Sequence, residues 1–309
     1  MRVLITGGAG FIGSHLVDYY IEHGDEVTVI DNLITGSEDN IAGNRVSGKF
    51  DFRKEDVCDI KTIDVDVELI LHLASPASPF DYLKYPIETM RTASLGTHNM
   101  LEIAREKRAK FLLASTSEVY GDPEEHPQKE DYWGNVNPTG PRAVYDEGKR
   151  FAEALTAAYN RTYDLNACII RIFNTYGERM HEDDGRVIPT FINQALKNQP
   201  LTIFGDGKQT RSFCYISDMV EAISKAARAD FTQPINIGNP REYTMLEVAD
   251  MIKHLCESSS QYKYMPLPEN DPKRRKPDIT RARRVLGWEP KIELDEGLAR
   301  VVDWFRRKK

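Results

Sequence analysis

The sequence predicts an α/β fold: a doubly wound parallel sheet covered by helices on both faces, followed by a smaller C-terminal mixed α/β lobe. Two observations predict it. In the first half, short apolar runs alternate with longer helical patterns, and the strand runs are apolar throughout, as strands buried on both faces must be. After about residue 175 the alternation gives way to mixed segments broken by turn signals. A chain of 309 residues exceeds one ordinary core. The expected division is therefore 1–175 as the larger domain and 176–309 mainly as the smaller lobe, with some return of chain to the first.

Strands are predicted at 3–6, 26–31, 50–54, 68–73, 110–115 and 166–171, and helices at 11–23, 86–107 and 143–163. In the second half, helices are expected at 187–197, 218–227, 245–256 and 294–307. They are separated by turns at Gly205-Asp206-Gly207, Gly238-Asn239-Pro240 and 266–272. The chain carries no internal repeat and no low-complexity tract.

The net charge of −7 argues against a general nucleic-acid binder. An acidic protein that takes an anionic ligand has to gather its Arg and Lys locally. Cys58, Cys168, Cys214 and Cys256 are widely spaced and form no CxxC pair, so reduced thiols are expected and a structural zinc site or other metal is not. Met1 runs directly into the first strand, and no apolar run is long enough to span a membrane. The chain is expected to act in the cytoplasm.

The most informative motif is Thr6-Gly7-Gly8-Ala9-Gly10-Phe11-Ile12-Gly13, between the first strand and the first helix. Gly7, Gly10 and Gly13 form a GxxGxxG variant of the Rossmann-type dinucleotide fingerprint. Gly7 allows the tight turn, Gly10 lets backbone approach a pyrophosphate, and Gly13 lets helix and strand pack closely. The helix N-terminus offers free N–H groups to the phosphates, with Phe11 and Ile12 beside them. Asp31 ends the second strand, 18 residues beyond Gly13, where a carboxylate accepts from the adenosine ribose hydroxyls and repels a 2′-phosphate. Asn32 follows and no Arg stands beside it, so NAD is favoured over NADP. Asp56 and Val57, after the third strand, are placed at the adenine, and Leu73, Ala74 and Ser75, after the fourth, along the middle of the cofactor.

Tyr145 and Lys149 stand at i and i+4 of a predicted helix and so share one face. A free tyrosine ionises near pH 10, too high for a base at neutrality, and bringing it there takes about 4 kcal/mol of differential stabilisation. An adjacent ammonium in a partly dehydrated site is expected to supply much of that. Tyr145 then reads as a general base for a hydroxyl whose carbon gives up hydride.

On these motifs the chain resembles the extended short-chain dehydrogenase/reductase family over nearly its whole length. The matching segments are the glycine loop, 71–78, Tyr145 to Lys149, 171–177 and 205–218. Within that family it is most similar to the UDP-glucuronate decarboxylases, through 115–121, 140–150 and Arg274-Arg275-Lys276-Pro277-Asp278. The resemblance implies a shared opening step in which hydride leaves sugar C4, giving a 4-keto sugar and NADH. Related 4,6-dehydratases usually carry Asp-Glu where this chain has Ser117-Glu118, and epimerases usually have small residues there. A ketone at C4 lies β to a C6 carboxylate, so CO2 leaves readily, and retained NADH returns its hydride. The implied roles are Thr116 and Tyr145 on the C4 oxygen, Glu118 with Ser117 managing protons at C5 or ordering water there, and Arg275 positioning substrate or stabilising charge. Asn174 and Arg211 are implied at the diphosphate and Leu201–Phe204 at the uracil. Thr175, Arg186, Arg179 and His181 are implied near the junction of sugar and cofactor, and Arg91 at the cofactor phosphates. A homodimer pairing helices 86–107 and 143–163 is implied as well. A UDP-sugar 4-epimerase, a 4,6-dehydratase and an NAD-binding regulatory protein remain as alternatives.

Overall fold

The computed structural model describes residues 1–267 and 274–308; most of the turn predicted at 266–272 lies outside them. Strands β1 (Arg2–Thr6), β2 (Glu26–Ile30), β3 (Phe50–Arg53), β4 (Leu69–His72), β5 (Lys110–Thr116) and β6 (Ala167–Ile172) join a later strand, Pro234–Ile237, in one parallel sheet. The spatial order is Pro234–Ile237, β6, β5, β4, β1, β2, β3. Chain order therefore reverses between β1 and β4, and the crevice outside the carboxyl ends of these two strands is where such a fold opens a ligand site. The register sets Thr6 beside both Ile30 and His72, so the ends of β1, β2 and β4 are level there.

Each face of the sheet has its own core, which is why the strands lack polar alternation. Val3 and Ile5 pack on one side with Leu16 and Val17 of helix α1 (Phe11–Glu22) and Ile223 of helix Ile216–Arg228. Leu4 and Ile70 pack on the other with Met100, Ile103 and Ala152. The predicted helix 86–107 is a continuous helical run in three parts: Pro86–Arg91, a π-helical turn over Thr92–Gly96, and Thr97–Lys107. Gly96 lies against Val57, where a Cβ would come within 2.7 Å of the valine side chain, so the π turn sits where the helix approaches the chain beyond β3 most closely.

The second half builds the predicted helices with small shifts at their ends, as Val187–Leu196, Ile216–Arg228, Met245–Leu255 and Leu294–Arg307. Met245–Leu255 starts on a capping box, with Thr244 and Glu247 satisfying each other's backbone N–H. The lobe shares a core with the sheet: Ile170 belongs to the same apolar cluster as Phe191, Val248 and Leu298. Two segments absent from the sequence expectations matter for the site. Pro79–Lys84 is a short helix capped by Ser78, and Arg274–Arg275 is a strand lying parallel to Thr210–Ser212, with Arg275 opposite Arg211.

Gly13 is the tightest point of the glycine loop, because a Cβ there would stand 2.1 Å from the Gly7 carbonyl oxygen. Gly13→Ala is expected to cost roughly 1–3 kcal/mol, the usual range for overpacking. A thermal midpoint equal to that of the parent chain would show that the loop opens at no cost.

Candidate active site

A cleft of about 1700 Å³ opens where the chain order reverses. Its floor is the glycine loop. Gly7 has φ +71°, and a Cβ there would meet the Ala74 backbone nitrogen at 2.7 Å, so β1 and β4 approach each other through a glycine. Gly7, Gly10, Phe11, Ile12 and Gly13 all line the cleft. The turn exposes backbone instead of side chains at the N-terminus of α1, the arrangement a pyrophosphate requires. Asp31 Oδ2 accepts from the Ala9 N–H at 3.0 Å and Oδ1 from the Leu33 N–H at 2.8 Å. Burial raises its carboxyl and these two bonds pull it back, so the carboxylate is held rigidly at the cleft wall. Asn32, Val57, Leu73, Ala74 and Ser75 line the same end. This donor and acceptor set fits a dinucleotide without a 2′-phosphate.

Two predicted cofactor residues stand elsewhere. Asp56 is not on the cleft wall; it accepts from Asn32 Nδ2 at 2.9 Å and from the Cys58 N–H at 2.8 Å, and so orients Asn32. Arg91 is also outside the lining, with its guanidinium exposed and 4.0 Å from Asp59. It lies on the helical stretch just before the π turn, and the residue that reaches the cleft from that turn is Thr92.

Tyr145 and Lys149 project from helix Ala143–Tyr163 into the cleft. Lys149 Nζ donates to the Ala114 carbonyl of β5 at 2.9 Å, which ties the helix to the sheet, and stands 5.8 Å from the centre of the Tyr145 ring. The ring stacks flat on Tyr82, with centroids 5.1 Å apart and planes 6° from parallel. The expectation that the ammonium lowers the phenol is corrected here. In the protein alone, burial raises the Tyr145 phenol and the Thr116 hydroxyl offsets only part of that. Burial also lowers Lys149 to about 8, against the pull of Glu153. Desolvation is the larger effect on both groups because each is enclosed and the nearest strong acceptor of the ammonium is a neutral carbonyl.

At the far end of the cleft three chain segments meet in one ion cluster. Thr116 ends β5 and caps the 3₁₀ turn Ser117–Tyr120, accepting from the Glu118 N–H at 3.2 Å. The turn aims the Glu118 carboxylate between two guanidiniums. Arg142 Nη2 donates to Oε2 at 2.6 Å, and Arg275 Nη1 donates to Oε1. Burial alone would raise Glu118; Arg275 and Arg142 outweigh it and hold the carboxyl at about 2. A carboxylate pinned there by two guanidiniums stays ionised near neutrality in the protein alone. Arg275 is itself buried at 4% exposure, carried by its short strand beside Arg211.

The remaining predicted residues, Ser117, Asn174, Thr175, Arg186, His181, Arg179 and Arg211, all line the cleft, as do Thr202 and Phe204 of strand Leu201–Phe204. Arg186 is engaged by Asp184 and lies 5.7 Å from the Phe11 ring, and Arg179 donates to Asp18 at 2.5 Å. Sequence reasoning gave no role to Tyr82, Arg142 or Asp146. The Ser78-Pro79 start of a helix with Asp81 in its first turn was a readable signal for the helix that carries Tyr82. Arg142 and Asp146 had no such signal, since only the fold turns them toward Glu118.

The model of the family described as GDP-mannose 4,6 dehydratase matches residues 4–301. UDP-glucuronic acid decarboxylase 1 of Arabidopsis thaliana is 51% identical over 308 residues, covering 100% of this chain and 70% of the relative. UDP-glucuronic acid decarboxylase 6 of the same plant is 52% identical over 307 residues, covering 99% of this chain and 89% of that protein. The chain belongs to the UDP-glucuronic acid decarboxylase family. The fold is shared with a solved UDP-glucuronic acid 4-epimerase from Bacillus cereus in complex with UDP-glucuronic acid and NAD, at TM-score 0.89 and 29% identity over 100% of both chains. Among the described residues no group of three His, Cys, Asp or Glu is placed to hold a metal ion, and no helix is long and apolar enough to cross a membrane.

Removing the charge of Glu118 takes away the carboxylate that the Arg142 and Arg275 guanidiniums share. Glu118→Gln is expected to lose about 3 kcal/mol of unfolding free energy, as for other broken buried pairs, and to impair turnover far more than it impairs NAD binding. Denaturant unfolding together with cofactor titration checks both; unchanged stability and turnover would make Glu118 an ordinary surface carboxylate.

Proposed function

We propose that this chain is an NAD-dependent carboxy-lyase that converts UDP-glucuronate to UDP-xylose through a 4-keto intermediate. The observation that carries the reading is the meeting, in one cleft, of the Tyr145–Lys149 pair with the Arg142–Glu118–Arg275 cluster. The first supplies a base for a sugar hydroxyl, and the second supplies guanidiniums for an anionic sugar. Ser117 weighs against a 4,6-dehydratase, because a buried hydroxyl is a poor acid for protonating the C6 hydroxyl that leaves as water.

The glycine loop, Asp31, Asn32, Val57 and the 73–75 segment hold NAD. Bound there, NAD would supply a hydride acceptor and, once reduced, a hydride donor for C4, with no net redox change, and a positive nicotinamide that would favour phenolate. Tyr145 removes the C4 hydroxyl proton, and Thr116 holds the C4 oxygen as it becomes a carbonyl. Lys149 fixes the helix against Ala114 and keeps positive charge beside the ring. The C4 ketone then accepts the electron pair of the C5–C6 bond as CO2 leaves, and the resulting enolate takes a proton at C5 from water, restoring the C4 ketone for the returning hydride. Arg275 and Arg142 orient the sugar, while Arg211 and Asn174 serve the diphosphate and Leu201–Phe204 the uracil. The domain division at 175 fits this assignment, with cofactor residues mainly before it and several substrate residues after it.

A homodimer belongs to the same reading. Ile87, Met90 and Leu95 on the run 86–107 and Phe151 on helix Ala143–Tyr163 expose apolar side chains in the two helical segments expected to pair. Ile87→Glu is expected to shift the protein toward monomer in sedimentation; an unaltered dimer would place the interface elsewhere. A cytoplasmic site of action belongs to the same reading, as four widely spaced cysteines suit a reducing compartment.

Incubation with UDP-glucuronate should release CO2 and yield UDP-xylose, and Tyr145→Phe should lower that turnover by roughly 10²–10⁴-fold with NAD affinity nearly intact. Conversion of UDP-glucose with no CO2 from UDP-glucuronate would overturn the assignment.

A further inference from the structure

The two-residue strand that carries Arg275 has little of its own to fix its register. It lies at the edge of a three-stranded sheet, with Arg274 opposite Thr210 and Arg275 opposite Arg211. Side chains alternate along a strand, so a slip of one residue would turn Arg275 away from Glu118 and bring Arg274 round in its place. In the structure Arg275 is buried against Glu118 and Arg274 is exposed. The contacts that fix this choice lie just beyond the strand. Gln128 is fully enclosed and bridges in parallel to Pro277. It holds Lys276 twice: its side-chain Oε1 accepts from the Lys276 N–H at 2.8 Å, and its own N–H donates to the Lys276 carbonyl at 2.9 Å. Its carbonyl accepts from the Asp278 N–H at 2.8 Å. The side-chain amide is oriented in turn, because Nε2 donates to the Glu125 carbonyl at 2.7 Å. Asn236, enclosed on strand Pro234–Ile237, donates to the carbonyls of Gln128 at 3.0 Å and Asp278 at 3.3 Å, which ties the clamp to the main sheet.

We propose that Gln128 is a positioning residue for this site: it locks segment 274–278 in the register that presents Arg275 to Glu118 and the cleft, and so sets the grip on a carboxylate-bearing sugar. Gln128 does not line the cleft, whereas Arg275 does, so it acts through that guanidinium and touches no substrate. A buried amide with both its oxygen and its nitrogen engaged specifies one arrangement of the chains around it. Here its oxygen engages the residue that follows Arg275, so the arrangement it specifies is the direction of that side chain.

The inference rests on the decarboxylase reading for the role of Arg275 and the identity of the sugar, but its test reads binding, not turnover. Gln128→Met keeps the length of the side chain and removes its two hydrogen bonds. The NAD-loaded protein, in a Tyr145→Phe background that slows turnover, is titrated with UDP-glucuronate and with UDP-xylose, which lacks the carboxylate. Gln128→Met should weaken UDP-glucuronate about tenfold, the usual size of one hydrogen bond to a charged group, while affinity for UDP-xylose and NAD stays nearly level. In an Arg275→Met background the same change should add nothing further, because Gln128 acts through that guanidinium. An equal loss for both sugars would reduce Gln128 to a structural residue and overturn the proposal. Unchanged affinity for UDP-glucuronate would overturn it as well, and so would a full further loss in the Arg275→Met background. Should Gln128→Met fail to fold, Gln128→Asn, which draws the amide back from Lys276 by one methylene, is read by the same comparison of sugars. Absence of CO2 release from UDP-glucuronate by the parent protein would instead overturn the assigned reaction, an outcome separate from all of these.

Discussion

One end of the cleft is organised around one carboxylate held between two guanidiniums. Glu118 comes from the turn after β5, Arg142 from the start of the helix that carries Tyr145, and Arg275 from a two-residue strand in the smaller lobe. The pair to Arg275 joins residues 157 positions apart in the chain. The cluster therefore joins the lobe to the sheet at the wall of the cleft. Its energetics run the way buried ion pairs usually do. Desolvation opposes all three charges, and the arrangement persists because each carboxylate oxygen meets a donor. Loss of the central anion would be felt by both lobes at once.

This constraint divides the work among the polar groups. With Glu118 held ionised, the proposed proton chemistry at C4 falls to Tyr145 and the hydroxyl of Thr116, while Lys149 is anchored to the Ala114 carbonyl. The stack of Tyr145 on Tyr82 limits ring motion, so the phenol is positioned before substrate arrives. A second buried pair works further back: Arg171 grips Glu153 through both carboxylate oxygens, and Ser115 donates to the same carboxylate at 2.6 Å. This pair joins β5, β6 and the Tyr145 helix into one rigid wall. The sheet supplies the framework, and the two ion clusters set the geometry of the helix on it.

Much of the fold was readable in the sequence because its signals are local. Apolar runs without alternation meant strands covered on both faces, and β1 to β6 lie within a residue or two of the predicted limits. The glycine loop was readable for the same reason, since the need for φ > 0 and close backbone approach is written into residue type at Gly7 and Gly13. Less legible were the strand Pro234–Ile237, whose place in the sheet depends on pairing with β6, and the π turn, which depends on the approach of Gly96 to Val57.

The sequence by itself determined the parallel sheet, the dinucleotide cradle with Asp31, and the shared helical face of Tyr145 and Lys149, because each follows from residue type and spacing within a few turns of chain. Only the tertiary structure decided the electrostatics. Burial turned the expected lowering of Tyr145 into a raising, the meeting of Arg142 and Arg275 fixed Glu118 as an ion, and enclosure left Asp146 Oδ1 without a hydrogen bond. The reason is that a charge is set by how much water is excluded and by which distant groups arrive beside it, and neither quantity is a property of neighbouring residues in the chain.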